Sequence, residues 1–158
     1  MAVLKDSGAR RDFGTGAVRD VATGKGRCDL LPLKEIGILM KDEILVKIDD
    51  FVRNGNTESL YQVVELFIEK SEYDCKETAM LELAKHYEDG AIKYKERNWE
   101  AGIPLNCFID SGVRHYFKYC RGDKDEPHDR AFIWNMIGAI WTLENHPELN
   151  NLPFANKK

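Results

Sequence analysis

Asp110, Arg114 and His115 stand together in the stretch FIDSGVRHYFKY. On a helix, the four-residue step from Asp110 to Arg114 puts both on one face, where they can pair. Arg114 and Lys118 are separated by the same step. They form a cationic ledge on which the planar fork of Arg suits a phosphate. An ordinary surface ion pair satisfies the same spacing. Ile109, Val113, Phe117 and Cys120 mark the core side of this helix, so the charged residues flank the core rather than oppose it. Further on, Glu126 and Asp129 have an E-x-x-D spacing that presents two carboxylates on one side of a helix. Oxygen donors of that kind suit Mg or Mn. Acids also crowd helix N-termini for electrostatic reasons alone. His128 and Asn135, two turns apart, share a face as well.

Two more residues depart from the pattern of a plain helix. Glu88 falls in a stripe with Leu81, Ala84 and Ala91. A carboxylate there needs a partner, a metal or a raised pKa, unless it sits at a boundary and reaches solvent. Trp99 lies between Asn98 and Glu100 in a short connection turned by Gly102 and Pro104. Its flat face can stack a base or plug the end of a bundle.

The segment FGTGAVRDVATGKGRCDLLPL, residues 13–33, is too polar and glycine-rich for a core element. Its glycines at 14, 16, 24 and 26 let backbone N–H groups approach an anion, as phosphate nests do. Arg19, Lys25 and Arg27 add positive charge. The spacing is not that of a Walker A loop. A structured arm strapped across the fold is the other reading of the same residues.

These side chains need a frame, and the chain has the size for one. Its 158 residues, 43% hydrophobic and 32% charged, suit a single globular domain. Net charge is -4, which argues against non-specific duplex binding while leaving room for a local basic patch. No apolar run is long enough for a membrane span, and the N-terminus has no secretory pattern. Four widely spaced cysteines without a CxxC pair read as reduced thiols, as expected in the cytoplasm. Residues 1–12 are expected to form a flexible arm, and 13–158 a single helical domain. Helical periodicity runs through 34–54, 57–71, 74–97, 104–121 and 125–145. No alternating strand run of useful length appears. The fold expected is therefore all-α, a compact bundle of about five helices preceded by an irregular Gly-rich loop.

The segments TGAVRD, GKGRCDLLP, LAKHYEDGAIKYKERNWEAGIPL, DSGVRHYFKY and HDRAFIWNMIGAIWTLE jointly resemble a family of small phage proteins. That family is named after the N-terminal domain of a dATP/dGTP diphosphohydrolase, a relative of MazG-type enzymes. The resemblance covers 13–33 and roughly 79–145. It implies cleavage of a purine deoxynucleoside triphosphate to monophosphate and pyrophosphate with a divalent metal, Mg or Mn. By position it picks out Gly16, Arg19, Asp20, Gly24, Lys25, Arg27 and Asp29 in the loop. Downstream it picks out Glu88, Lys93, Tyr94, Asn98, Trp99, Asp110, Arg114, His115, His128 and Asn135.

Together with the spacing arguments, this assigns catalysis to Glu88, Asp110 and His115. Metal ligation falls to Glu88, Asp110, Glu126 and Asp129. Ligand contacts fall to Arg19, Lys25, Arg27, Lys93, Tyr94, Asn98, Trp99, Arg114, Lys118, His128 and Asn135. Residues 34–78 read as two amphipathic helices inserted relative to the family, to cover the pocket or to build a homo-oligomer interface. No E-x-x-E pair faces Glu126 and Asp129, which MazG-type chemistry would use. The alternative is a non-catalytic protein that sequesters a host immune signalling nucleotide. Either would work in the cytoplasm of an infected host, without membrane or duplex nucleic acid as partner.

Overall fold

A computed structural model describes residues 8–157. Six α-helices carry the fold: α1 (Leu33–Met40), α2 (Glu43–Asn54), α3 (Thr57–Lys70), α4 (Lys76–Lys93), α5 (Leu105–Arg121) and α6 (His128–Asn145). The all-α class is as expected. The helix count differs because the expected first helix breaks in two. Lys41 takes a left-handed conformation, φ 54°, and Asp42 then caps α2 by accepting the N–H of Ile44. A polar cap residue after a left-handed stop ends one helix and starts another.

α5 and α6 form an antiparallel centre: Phe108 meets Gly138, Gly112 meets Asn135 and Met136, and His115 meets His128. The two glycines set this close approach. A Cβ on Gly138 would lie 2.5 Å from the Phe108 ring, and one on Gly112 would lie 2.5 Å from the Met136 methyl. Phe67 of α3 packs edge-on against Phe132 of α6 with ring centroids 4.8 Å apart, so α3 joins the central pair through buried aromatics. The final turn, Pro153–Asn156, places Phe154 on Phe51 of α2.

The segment ahead of α1 contains two three-residue strands, the only strands among the described residues. β1 (Arg10–Asp12) and β2 (Val18–Asp20) pair antiparallel, with Arg10 opposite Asp20, Arg11 opposite Arg19 and Asp12 opposite Val18. Of the expected arm, residues 1–7 lie outside the described residues, and Arg10–Asp12 form β1. Asn98 fastens the hairpin to the bundle as a third strand would. Its amide donates to the Val18 carbonyl at 2.8 Å, and its Oδ1 accepts the Val18 N–H at 3.0 Å. Thr15 donates to the Gly102 carbonyl, and Ala17 is fully buried. A 3-10 turn, Cys28–Leu30, then leads the chain along α5. No helix is long and apolar enough to cross a membrane among the described residues.

Candidate functional site

A cleft opens between the hairpin, the C-terminal half of α4, the Asn98–Ala101 turn and the α5–α6 pair. Eight Lys or Arg side chains line it against two carboxylates, Asp20 and Glu126. In a chain of net charge -4, that concentration of cations selects for an anionic ligand.

Arg19 is the centre of the positive charge. Its guanidinium donates to Ser111 Oγ at 3.0 Å and to Asn135 Oδ1 at 3.3 Å, and it stacks on Trp134 with 5.1 Å to the ring centroid. Asn135 is held for this task because its amide donates to the Ala131 carbonyl at 2.7 Å, which turns Oδ1 toward Arg19. All these partners are neutral. Burial consequently lowers the pKa of the guanidinium from its ordinary value. Arg11 stands directly opposite on β1, and its Nε is buried without a hydrogen-bond partner. Like charges directly opposite each other on a strand pair are destabilising unless an anion lies between them.

The other cations are held differently. Lys93 pairs with Asp20 at 2.7 Å, and Asp20 also accepts from Arg10 at 2.9 Å and from the Tyr94 hydroxyl at 3.4 Å. Arg114 donates to Asp110 at 2.6 Å and to the Gly26 carbonyl at 2.6 Å. Lys25 and Lys118 reach the rim. Trp99 packs edge-on against Trp141, centroids 4.8 Å apart, and against Tyr87 at 5.7 Å, closing one end of the cleft with aromatic surface.

On the α5–α6 side, His115 and His128 approach with Nδ1 to Nδ1 at 2.8 Å. His128 Nε2 in turn lies 2.7 Å from the Asp125 carboxylate. When the His128 ring is neutral, Asp125 accepts its Nε2–H, and Nδ1 accepts from His115. Burial, and next the neighbouring His128, hold the pKa of His115 well below the usual imidazole range. His115 is therefore neutral at neutral pH, a ligand or acceptor rather than a cation.

Of the residues expected at the site, Arg19, Lys25, Lys93, Tyr94, Asn98, Trp99, Arg114, His115, Lys118, Glu126 and Asn135 all line this one cleft. Others stand apart. Glu88 is exposed on α4, as are Leu81 and Ala84 of its expected stripe, because the buried face of that helix is Ala79, Leu83 and His86. Arg27 is exposed and holds Asp29 bidentately at 2.8 and 2.7 Å. Asp110 lies beneath the wall, where it accepts the Cys28 N–H at 2.7 Å and fixes the loop to α5. His128 backs His115.

Pro127 delays the start of α6 to His128, so Glu126 precedes the helix and does not share a helical face with Asp129. Asp129 accepts the Tyr73 hydroxyl at 2.7 Å in an acidic hollow next to the cleft, with Glu126 lining both. Among the described residues, the groups able to offer three converging ligand atoms are His115, Glu126, His128 and Asp123, Asp125, His128. The set Glu88, Asp110, Glu126, Asp129 does not form such a group.

Arg11, His86 and Trp134 are among the cleft residues that the sequence pattern did not single out. His86 is buried and its Nδ1 has no partner. Burial, then the charges of Arg130 and Arg19, push its pKa down to about 3. The pairing of Arg11 with Arg19 needs the hairpin, and three-residue strands are too short to alternate visibly.

Fold and site together define a helical protein with a basic, aromatic-walled cleft. The sequence profile of the dATP/dGTP diphosphohydrolase N-terminal family matches residues 69–152, more than half of the chain, and the chain belongs to that family. The match begins where α3 ends and takes in α4, α5 and α6; the 13–33 segment lies outside it. No curated protein and no solved structure matches the chain.

Proposed function

We propose that the cleft binds a purine (deoxy)nucleoside triphosphate and that the protein hydrolyses it to the monophosphate and pyrophosphate. The opposed pair Arg11 and Arg19, set over neutral partners in a wall of cations, supports this reading most. A polyphosphate between them supplies a negative charge that the neutral partners of Arg19 do not, and accepts the guanidinium N–H groups as charge-assisted hydrogen bonds. Lys25, Arg114 and Lys118 extend the same surface along the phosphate chain. Trp99 and Tyr87 offer the apolar wall against which a base would rest.

Cationic groups aimed at the phosphates stabilise the charge that develops as the pyrophosphate leaves, which is the main requirement of phosphoryl chemistry. Glu126 and His115 are the cleft groups able to take a proton from an attacking water. The family name implies a divalent cation, which would polarise the phosphoryl oxygens. A cage of Glu88, Asp110, Glu126 and Asp129 does not fit, since three of the four are directed elsewhere. The same observation favours a second reading, in which the nucleotide is sequestered without turnover.

Incubating the protein with dATP, dGTP and other nucleoside triphosphates in Mg or Mn separates the two. Hydrolysis is expected to release monophosphate and pyrophosphate in equal amounts. Tight, saturable binding with the triphosphate recovered intact would establish sequestration instead.

A further inference from the structure

We infer that His115, Glu126 and His128 form a binding site for a transition-metal ion of the zinc class at the edge of the basic cleft. One ring nitrogen from each histidine and one carboxylate oxygen of Glu126 lie within 4.8 Å of one another. The three residues come from different places: His115 from the middle of α5, Glu126 from the loop before α6, and His128 from the first residue of α6. Glu126 and His128 are neighbours two residues apart, and the packing of α5 on α6 brings His115 to them.

The histidine pair carries the assignment. Two imidazole Nδ1 atoms face each other at 2.8 Å, a spacing that demands either a shared proton or a shared ion between them. Metal–nitrogen distances of about 2.0–2.1 Å at a tetrahedral centre would require the rings to part by only about half an ångström. Asp125 already stands at His128 Nε2, 2.7 Å away, in the place of the outer carboxylate that orients a metal-bound histidine. It holds the Nε2–H tautomer and leaves Nδ1 free to ligate.

The donor set decides the kind of metal. Two imidazoles and one carboxylate suit zinc, cobalt or nickel, whereas magnesium prefers oxygen alone. Three protein ligands leave a fourth position for a further donor. His115 lines the basic cleft, His128 lines the acidic hollow and Glu126 lines both, so the site lies where the two meet.

This assignment concerns the metal alone and is tested without nucleotide. The full chain, stripped with a chelator, is titrated with zinc chloride by calorimetry and with cobalt chloride by visible absorption. The expected result is one ion per chain, with cobalt bands of a tetrahedral nitrogen–oxygen site and no displacement of zinc by a thousandfold excess of magnesium. Glu126→Gln and His115→Ala, both at half-buried positions, are expected to weaken zinc binding at least tenfold. Asp125→Asn is expected to weaken it ten- to a hundredfold, as for other outer-sphere partners. Melting curves of the metal-free variants check that each is folded.

No saturable zinc binding by the wild-type chain would overturn the assignment. So would affinity unchanged in both folded ligand variants, or a cobalt spectrum dominated by thiolate charge transfer. The last outcome would place the ion on the free cysteines.

Discussion

Arg11 on β1 lies directly opposite Arg19 on β2, and both line one cleft. A strand pair that sets two arginines opposite each other is weakened in the absence of an anion. Arg11→Gln is therefore expected to leave the melting temperature of the free protein unchanged or slightly raised. The same variant is expected to lose most of the thermal stabilisation that a nucleoside triphosphate gives the wild type. Melting curves with and without ligand measure both effects.

Asn98 replaces a missing strand by bonding both backbone groups of Val18. Asn98→Ala leaves those groups without partners at a part-buried position. A loss of about 1–3 kcal/mol in stability is expected, together with faster amide exchange at Val18. Urea unfolding followed by hydrogen exchange tests the pair of outcomes. Unchanged exchange at Val18 would contradict the strap.

His86 is held down to about 3 by burial and by Arg130 and Arg19, against about 6.5 in an unfolded chain. Between these values the unfolded state binds the extra proton and the folded state does not. Stability therefore falls as pH drops from about 6.5 toward 3, by up to about 1.4 kcal/mol per pH unit, and is flat with respect to this group above 6.5. His115, also held low by burial and by His128, adds to the fall in the same direction. His86→Phe is expected to flatten the dependence, and to do so without lowering stability at pH 7.5, because it removes a buried unpartnered nitrogen. Urea midpoints at pH 7.5 and 5.0 give the comparison. A ligand that bonds His86 Nδ1 would bind the variant about tenfold more weakly.

Gly138 lets α6 lie against Phe108, since a Cβ would come within 2.5 Å of the ring. Gly138→Ala is expected to cost about 1–3 kcal/mol by overpacking the centre of the bundle. Chemical denaturation reads the loss directly.

Much of this was legible in the sequence. Stripes such as Leu60, Val63 and Phe67 are buried as their spacing demands, and Gly55 and Gly122 end α2 and α5 in left-handed conformations. Arg114 and Lys118 of α5 and Arg19 of the loop line one cleft, whereas Arg27 turns away to Asp29. The break at Lys41 was harder, because apolar periodicity continues across it and only Asp42 marks the new start. On α4, apolar residues occupy more than one face: Leu81 and Ile92 are 70% and 81% exposed. Periodicity alone therefore chose the wrong side for Glu88. Pro127 was the missed signal before α6, since proline at a helix start would have moved Glu126 out of the helix. Arg11 and His86 depend on neighbours brought from distant parts of the chain, which spacing does not reveal.

The most direct measurement is calorimetric titration of dGTP into the wild-type chain and into Arg19→Gln, at two salt concentrations. Saturable binding is predicted for the wild type, weakened by salt as phosphate contacts are, and reduced at least tenfold in the variant. Equal affinity in both, or no binding by a folded wild-type chain, would contradict the reading of the cleft as a polyphosphate site.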